Sequence, residues 1–150
     1  MKTIALELDA LLSSYLPRLY SISDEAASVR PAPGKWSKKE LMGHLVDSAQ
    51  NNIRRFIVAR YEETPHIVYR QDAWVHAHQY NEYEWKELIQ LWQLQNKQLV
   101  SLIRNASHEV AERTVQTESM HTVAWLASDY IRHLQHHLHQ VLELEPVAYP

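Results

Sequence analysis

The stretch Asp129-Tyr130-Ile131-Arg132-His133-Leu134-Gln135-His136-His137-Leu138-His139 carries the strongest pattern in the sequence. Its apolar residues recur at helical spacing, and His133 and His137 stand four positions apart within it. On a helix, residues at i and i+4 share one face, with Cβ atoms about 5–6 Å apart. Two imidazoles placed in this way can direct one nitrogen each at a single metal ion. The stretch therefore predicts an amphipathic helix with two candidate metal ligands, His133 and His137.

The apolar stripe of this helix indicates which histidines face inward. The stripe consists of Val123, Ala127, Tyr130, Ile131, Leu134, Leu138 and Val141. At about 100° per residue, His133 and His137 lie at its inner margin, whereas His136 and His139 lie on the outer, solvated face. Two histidines at the edge of a core can also be residues that simply hydrogen-bond to their neighbours. Helical phase alone does not distinguish this interpretation from metal binding.

The first half of the chain predicts two further helices. Residues 3–22 have the helical pattern, and Pro17 is expected to kink or break that helix, because an interior proline removes a backbone hydrogen bond. The stretch Ser37-Lys38-Lys39-Glu40 is a capping box, in which Ser37 caps the backbone and Glu40 reaches back. A second helix is therefore expected over about residues 38–60.

The second half predicts two more helices and a long connection. Residues 62–79 have no clear period, so they are interpreted as an irregular connection. A third helix is expected over roughly residues 81–104, followed by a polar link. A fourth begins at or near Thr122 and ends near residue 142. Long helices joined by long crossings predict an all-α protein, a single-domain four-helix bundle over residues 1–150.

Composition narrows the functional classes. The 150 residues include no cysteine, which excludes disulfides and cysteine-ligated zinc. Only two glycines are present, which excludes glycine-rich phosphate loops. The net charge of −3 and scattered basic residues argue against nucleic-acid binding. No apolar run is long enough to span a membrane, and Glu7 and Asp9 interrupt any signal-peptide core, so a cytoplasmic protein is expected.

A third metal ligand has to come from another helix, and His44 is the candidate. It lies off the apolar stripe of the second helix, on a polar line with Ser48, Asn51 and Arg55. This line is either a solvated surface or the wall of a cavity between helices, and periodicity does not decide between them.

Two acidic residues stand one helical turn from a candidate ligand. Asp47 follows His44, and Asp129 precedes His133. A carboxylate in either place can accept the second ring N–H of a metal-bound histidine. An ordinary surface carboxylate is the other interpretation, and it is the favoured one for Asp129.

Three motifs in this order resemble the DinB/YfiT-like superfamily of metal-binding four-helix bundles. They are Arg30-Pro31-Ala32-Pro33-Gly34-Lys35-Trp36-Ser37, Gly43-His44-Leu45-Val46-Asp47-Ser48, and the stretch from Asp129 to His137. The resemblance implies a divalent metal, commonly Zn²⁺ or Ni²⁺, held by one histidine of the second helix and a His-x-x-x-His pair of the last. On this sequence those positions are His44, His133 and His137.

The same resemblance implies an activity on small molecules. Some members of the superfamily are thiol S-transferases or isomerases that use a low-molecular-weight thiol such as bacillithiol or mycothiol. Metal coordination deprotonates a thiol, and the thiolate is the nucleophile. Asn51 or Arg55 is then expected to orient the anionic parts of the thiol. The candidate catalytic residues are therefore Asp47, Asn51 and Arg55.

Three other functions are weighed against this one. A hydrolase would use metal-activated water, with Asp47 moving protons. A non-enzymatic metal or small-ligand module is a further alternative. It includes a homodimer in which Trp125 makes the subunit contact, although packing of Trp125 against the first helix is favoured. A di-iron bundle is rejected, because only Glu118-Ser119-Met120-His121 has the required spacing.

Four other histidines lie in polar or irregular surroundings and are expected to face solvent. They are His66, His76, His78 and His108. For His76 and His78, which border the long connection, an approach to the pocket is the other interpretation.

Overall fold

Four long helices form the framework of the computed structural model, which describes residues 1–149. These are α1 (Lys2–Tyr20), α3 (Lys38–Val58), α5 (Trp85–Arg104) and α7 (Val123–Val141). Three short helices lie between them: α2 (Asp24–Ser28), α4 (Gln71–His78) and α6 (His108–Glu112). Helix α3 packs on α5 and α7, and α1 packs on the same two helices, so the four enclose one core. The predicted all-α four-helix bundle with long crossover connections is confirmed.

Large aromatic side chains fill the core. Trp85, Trp92 and Tyr130 are buried among leucines and isoleucines of all four long helices. Burial of one such side chain stabilises the fold by about 1.5–3 kcal/mol. Two of these side chains pair the polar atoms that they bring inside: the Trp85 indole N–H donates to the carbonyl of Leu19, and the Tyr130 hydroxyl donates to Asn96 Oδ1 at 2.7 Å. The buried indole N–H of Trp92 has no hydrogen-bond partner among the described residues.

The expected break in the first helix is wrong. Helix α1 continues through Pro17 to Tyr20. Pro17 lies in the last turn, so its missing N–H removes a hydrogen bond only where the helix is about to end.

The predicted capping box at the start of α3 is present and ties down the preceding connector. Ser37 Oγ accepts from the Glu40 N–H at 3.1 Å, and Glu40 Oε2 accepts from the Ser37 N–H at 2.8 Å. Arg30 forms an ion pair with the same carboxylate. Residues 30–37 are thereby held against the N-terminus of α3, which fixes the position of Trp36.

The connection between α3 and α5 is more ordered than the sequence predicts. It contains α4 and a short 3₁₀ turn, Tyr80–Glu82, and α5 begins at Trp85 rather than at residue 81. A helix of eight residues is too short to give a clear period. The left-handed backbone of Gln79, with φ of 50°, ends it.

The connection between α5 and α7 contains a β-hairpin that the sequence did not predict. Strand β1 (Thr114–Gln116) pairs antiparallel with β2 (Met120–Thr122), with Val115 opposite His121. Ile67 of the other long connection donates its N–H to the Gln116 carbonyl at 2.9 Å, so the two connections are tied together. Thr122 then caps α7, as predicted, by accepting from the Trp125 N–H.

Within the described residues, none of the helices combines the length and apolar character needed to cross a membrane.

Candidate metal centre

Three imidazole rings from two helices meet inside the bundle. His44 comes from α3, and His133 and His137 come from α7. The Nε2 atoms of His44 and His133 lie 3.0 Å apart, and one nitrogen from each ring lies within 4.8 Å of the others. Among the residues that the structure describes, this group is the only one of three or more His, Cys, Asp or Glu side chains that converge in this way. We call these three residues the histidine triad.

The polar line of α3 faces inward, not toward solvent. His44 is 0% exposed, and Ser48 and Asn51 are also buried. Helix α3 packs on both α5 and α7, so two of its faces point into the bundle. The polar line lies on the face toward α7, where His44 contacts His133. The interpretation as an interior wall is therefore correct, and the interpretation as a solvated surface is wrong.

Burial keeps the triad uncharged at neutral pH. Removal from water, together with a smaller effect of the neighbouring His137, lowers the pKa of His44 to about 3. Burial also lowers the pKa of His133 to about 2, with additional repulsion from His44 and His137. The pKa of His137 is lowered by burial as well, while its hydrogen bond to Gln140 opposes the shift. Neutral imidazoles are the form that binds a metal.

The geometry of the triad fits a divalent metal. Nitrogens bound to tetrahedral zinc at about 2.0–2.1 Å stand about 3.3 Å from each other. The Nε2 atoms of His44 and His133 are 3.0 Å apart, and the ligand nitrogens of the three rings all lie within 4.8 Å of one another, so the observed distances span that value. Three imidazoles without a thiolate suit Zn²⁺ or Ni²⁺. The buried Nδ1 atoms of His44 and His133 have no hydrogen-bond partner.

Gln140 holds the third ring in place, a role that was not predicted from the sequence. The Nδ1–H of His137 donates to Gln140 Oε1 at 2.8 Å, which leaves Nε2 of His137 as the free lone pair. The Gln140 amide N–H donates in turn to Nε2 of His136 at 2.9 Å. Such a contact fixes the tautomer of a ligand. The available signal was the i+3 spacing between His137 and Gln140 on one helix.

Asp47 does not support His44 as expected. Its Oδ1 accepts a 2.6 Å hydrogen bond from the Tyr80 hydroxyl, and the Nδ1 of His44 has no partner. Burial raises the pKa of Asp47, while the contact with Tyr80 opposes the rise. Gly43 makes this contact possible, because a Cβ there would lie 1.9 Å from the Tyr80 ring.

Asp129 does not support His133 either. One carboxylate oxygen accepts from Arg132, and the other accepts from the Tyr149 hydroxyl at 2.9 Å. The Nδ1 of His133 has no hydrogen-bond partner. Both carboxylate oxygens of Asp129 therefore accept hydrogen bonds from side chains other than that of His133.

A cavity of about 400 Å³, which we call the triad cavity, opens beside His133 and His137. Arg55 lies on its wall, with its guanidinium donating to the Ile67 carbonyl at 3.2 and 3.3 Å and to Asn52 Oδ1. Asn51, a predicted wall residue, does not line this cavity. Its amide N–H donates to the carbonyl of Asp47 in its own helix, and Asn52 takes the wall position instead.

The C-terminal residues 143–149 fold back over α7 and engage the two histidines that were predicted to be solvated. Both are half-buried: His136 donates to the Val147 carbonyl, and His139 donates to the Glu145 carbonyl, each at 2.6 Å. His139 also accepts from the Tyr15 hydroxyl at 2.8 Å. The prediction of a solvated face is therefore wrong for this pair. The tail places Tyr149 on the wall of the triad cavity.

The remaining predicted positions agree in part with the structure. The four histidines expected to face solvent are exposed. Trp125 is 42% exposed, and its ring stacks on His121 of the hairpin, with centroids 3.7 Å apart. The hairpin, and not the first helix, therefore supplies its stacking partner.

Comparison with known protein families identifies the family to which this chain belongs. Residues 7–141 match the model of the DinB superfamily. The chain belongs to the DinB superfamily. This DinB-superfamily chain shows no significant similarity to curated proteins at the level of sequence.

Two solved structures share the fold. YfiT from Bacillus subtilis, described as a probable metal-dependent hydrolase with an unusual four-helix bundle topology, is similar with a TM-score of 0.84 and 21% identity. The match covers 94% of this chain and 83% of that one. The mycothiol-dependent maleylpyruvate isomerase is similar with a TM-score of 0.75 and 16% identity, covering 97% of this chain and 61% of that one. At 21% and 16% sequence identity, the similarity to these two structures establishes a shared fold and does not by itself establish a shared activity.

Proposed function

We propose that this DinB-superfamily protein binds a divalent metal, Zn²⁺ or Ni²⁺, through His44, His133 and His137. The observation that carries the proposal is the convergence of three uncharged rings inside the bundle. A cation held by neutral imidazoles lowers the pKa of a bound thiol or water, which supplies a nucleophile at neutral pH. The chain's own part is to hold the three nitrogens and to shape the cavity beside them.

We further propose a metal-dependent S-transferase that acts with a low-molecular-weight thiol such as bacillithiol or mycothiol. In this reaction the thiol sulfur forms a bond to a carbon of the electrophile, and the bond from that carbon to its leaving group breaks. The proton of the thiol departs with the leaving group. A relative in fold that is described as mycothiol-dependent supports the choice of thiol.

Arg55 is the residue that would bind the thiol's anionic part. It lies on the cavity wall and makes no ion pair within 4.0 Å among the described residues. Its hydrogen bonds go to a backbone carbonyl and an amide oxygen, both uncharged. Because a guanidinium binds carboxylate or phosphate with two parallel hydrogen bonds, Arg55 is suited to an anionic ligand.

A metal-dependent hydrolase is the second candidate, favoured by the description of YfiT. Hydrolysis by activated water commonly needs a carboxylate or histidine to move protons. Asp47 is tied to Tyr80 and does not line the triad cavity, and both oxygens of Asp129 are engaged. A thiol loses its proton far more readily than water does, since the ordinary pKa is about 8.5 for a thiol and about 15.7 for water, so we place the transferase first.

An assay with two substrates separates these functions. Metal-loaded protein is given chlorodinitrobenzene with and without mycothiol or bacillithiol, and nitrophenyl acetate without thiol. A transferase forms the conjugate only when metal and thiol are both present. Ester hydrolysis without thiol would support the hydrolase. Absence of both reactions from metal-loaded protein would leave a binding module and overturn the enzymatic proposal.

Arg55→Gln tests the thiol-binding role in the same assay. It is expected to raise the KM for thiol about tenfold, because a hydrogen-bonded charge pair is lost. Arg54→Gln is the matched control, since Arg54 is exposed on the same helix.

Two predictions concern the protein's surroundings. The exposed Trp125 is the candidate for a homodimer contact, and sedimentation of Trp125→Ala beside the unaltered protein tests it. The cytoplasmic location stays a prediction.

A further inference from the structure

A second cavity reaches the histidine triad. Its volume of about 610 Å³ is in the range of small-molecule sites. It is lined by Trp36 and Leu41, by Pro31 of the connector, and by His137 and Gln140 of α7. Among residues 1–149, His137 alone lines both this cavity and the triad cavity. We call it the Trp36 cavity.

The two cavities differ in chemistry. Most of the lining surface of the Trp36 cavity is apolar. The triad cavity has more polar than apolar surface, and the Arg55 guanidinium lies on its wall. Lys35 and Asp72 also line the Trp36 cavity, so it is mainly but not wholly apolar. Two cavities of different character suit two different ligand groups, because apolar groups gain from leaving water and anions gain from a buried guanidinium.

Different aromatic rings flank the triad on the sides of the two cavities. The Trp36 ring lies 5.3 Å from the His44 ring, and the Tyr149 ring lies 5.3 Å from the His133 ring. Trp36 is held there because the adjacent Ser37 caps α3 and Glu40 pairs with Arg30. The Trp36 cavity is therefore built by fixed hydrogen bonds at the start of a long helix.

We propose that the Trp36 cavity binds the apolar part of the electrophilic substrate, while the triad cavity binds the anionic thiol. The inference rests on the proposed thiol chemistry, and it names the class of the second substrate as one with an aromatic or alkyl group. A reaction between two molecules requires both at one centre. Both cavities are lined by His137, a member of the triad.

Two thiol probes and two variants test the assignment by calorimetry, with no turnover. Mercaptosuccinate is the anionic probe and benzyl mercaptan the apolar one, each titrated into metal-loaded protein. Leu41→Asn is expected to weaken benzyl mercaptan about tenfold and to leave mercaptosuccinate within about twofold, because it removes apolar contact area. Arg55→Gln is expected to do the reverse.

Matched variants control for fold and position. Leu91→Asn and Arg54→Gln change exposed residues of the same types and are expected to bind both probes as the unaltered protein does. Trp36→Gln in the connector provides a second, independent test of the apolar cavity, and both Trp36 and Leu41 also pack against the core. Far-UV circular dichroism and melting temperature confirm that each variant is folded.

The possible failures are distinguishable. Unchanged benzyl mercaptan affinity in both Leu41→Asn and Trp36→Gln would overturn the assignment of the Trp36 cavity. The assignment would also be overturned if the Trp36-cavity variants (Leu41→Asn and Trp36→Gln) and Arg55→Gln each weakened the binding of both probes equally. In either case the thiol proposal would stand. If metal-loaded, unaltered protein bound neither thiol, the proposed function itself would fail.

Discussion

The Nε2 atoms of His44 and His133 lie 3.0 Å apart, although 89 positions separate the two residues in the chain. The helices that carry them, α3 and α7, pack directly against each other. The convergence is therefore a property of the bundle itself and does not depend on a loop. Since burial keeps both rings neutral, each can offer a lone pair to the same point.

Removal of the Gln140 side chain is expected to weaken metal binding without unfolding the protein. Gln140→Ala takes away the acceptor that fixes the tautomer of His137. Loss of such a supporting contact typically costs about 10–100-fold in metal affinity. Competition with a chromogenic chelator measures the change.

Gln98→Ala is the matched control for this variant, because Gln98 is exposed on α5. Its metal affinity should equal that of the unaltered protein. If Gln140→Ala also kept full affinity, the positioning role of Gln140 would be wrong.

The stability of the metal-free protein should fall in mild acid. The ordinary pKa of histidine is about 6.5, whereas in the folded protein that of His44 is about 3 and that of His133 about 2. The unfolded chain therefore binds more protons once the pH drops below about 6.5, and the stabilising contribution is lost progressively toward about pH 3. Each group contributes about 1.4 kcal/mol per pH unit over that window.

Urea unfolding of metal-free protein at several pH values between about 7.5 and about 5 measures this slope. His44→Gln should reduce the slope, and His108→Gln, at an exposed position, should leave it unchanged. A free energy of unfolding that stayed constant over this range would contradict the burial of neutral histidines.

An added methyl group at Gly43 is expected to destabilise the fold. The Cβ of Gly43→Ala would lie 1.9 Å from a ring carbon of Tyr80, which is buried and hydrogen-bonded to Asp47. Overpacking of this kind costs about 1–3 kcal/mol. Alanine is the better helix former by about 1 kcal/mol, so part of the cost is offset.

Thermal unfolding of Gly43→Ala beside Ser128→Ala checks this prediction. Ser128 is exposed within α7, so its replacement should change the melting temperature little. A more stable Gly43→Ala would show that Tyr80 does not need the space that the glycine leaves.

Local patterns in the sequence were sufficient to predict the framework of the fold. Ser37 and Glu40 define the start of α3, and Thr122 defines that of α7, because caps and helical periods depend on nearby residues. The interior break at Pro17 was wrong because the penalty of a proline depends on how near it is to the helix end. The β-hairpin and α4 were missed because elements of three to eight residues are too short to show a period.

The candidate site was predictable as far as its three histidines and Arg55. His133 and His137 are related by helical phase, and the resemblance to the superfamily supported His44, which the residues alone left open. The polar contacts around them depend on residues distant in sequence: Tyr80 binds Asp47 and Tyr149 binds Asp129. No spacing in the chain indicates such pairs, so the sequence could not show that Asp47 and Asp129 make their contacts with residues other than the triad.

The metal content of untagged protein tests the central claim most directly. A tag is avoided because the chain already has ten histidines. Elemental analysis and chelator competition are applied to the unaltered protein, to His44→Ala and His137→Ala, and to the exposed-histidine control His108→Ala. The account predicts a single divalent ion per chain in the unaltered protein and the control, and loss of that ion in both triad variants. Full stoichiometry and affinity in either triad variant would contradict it.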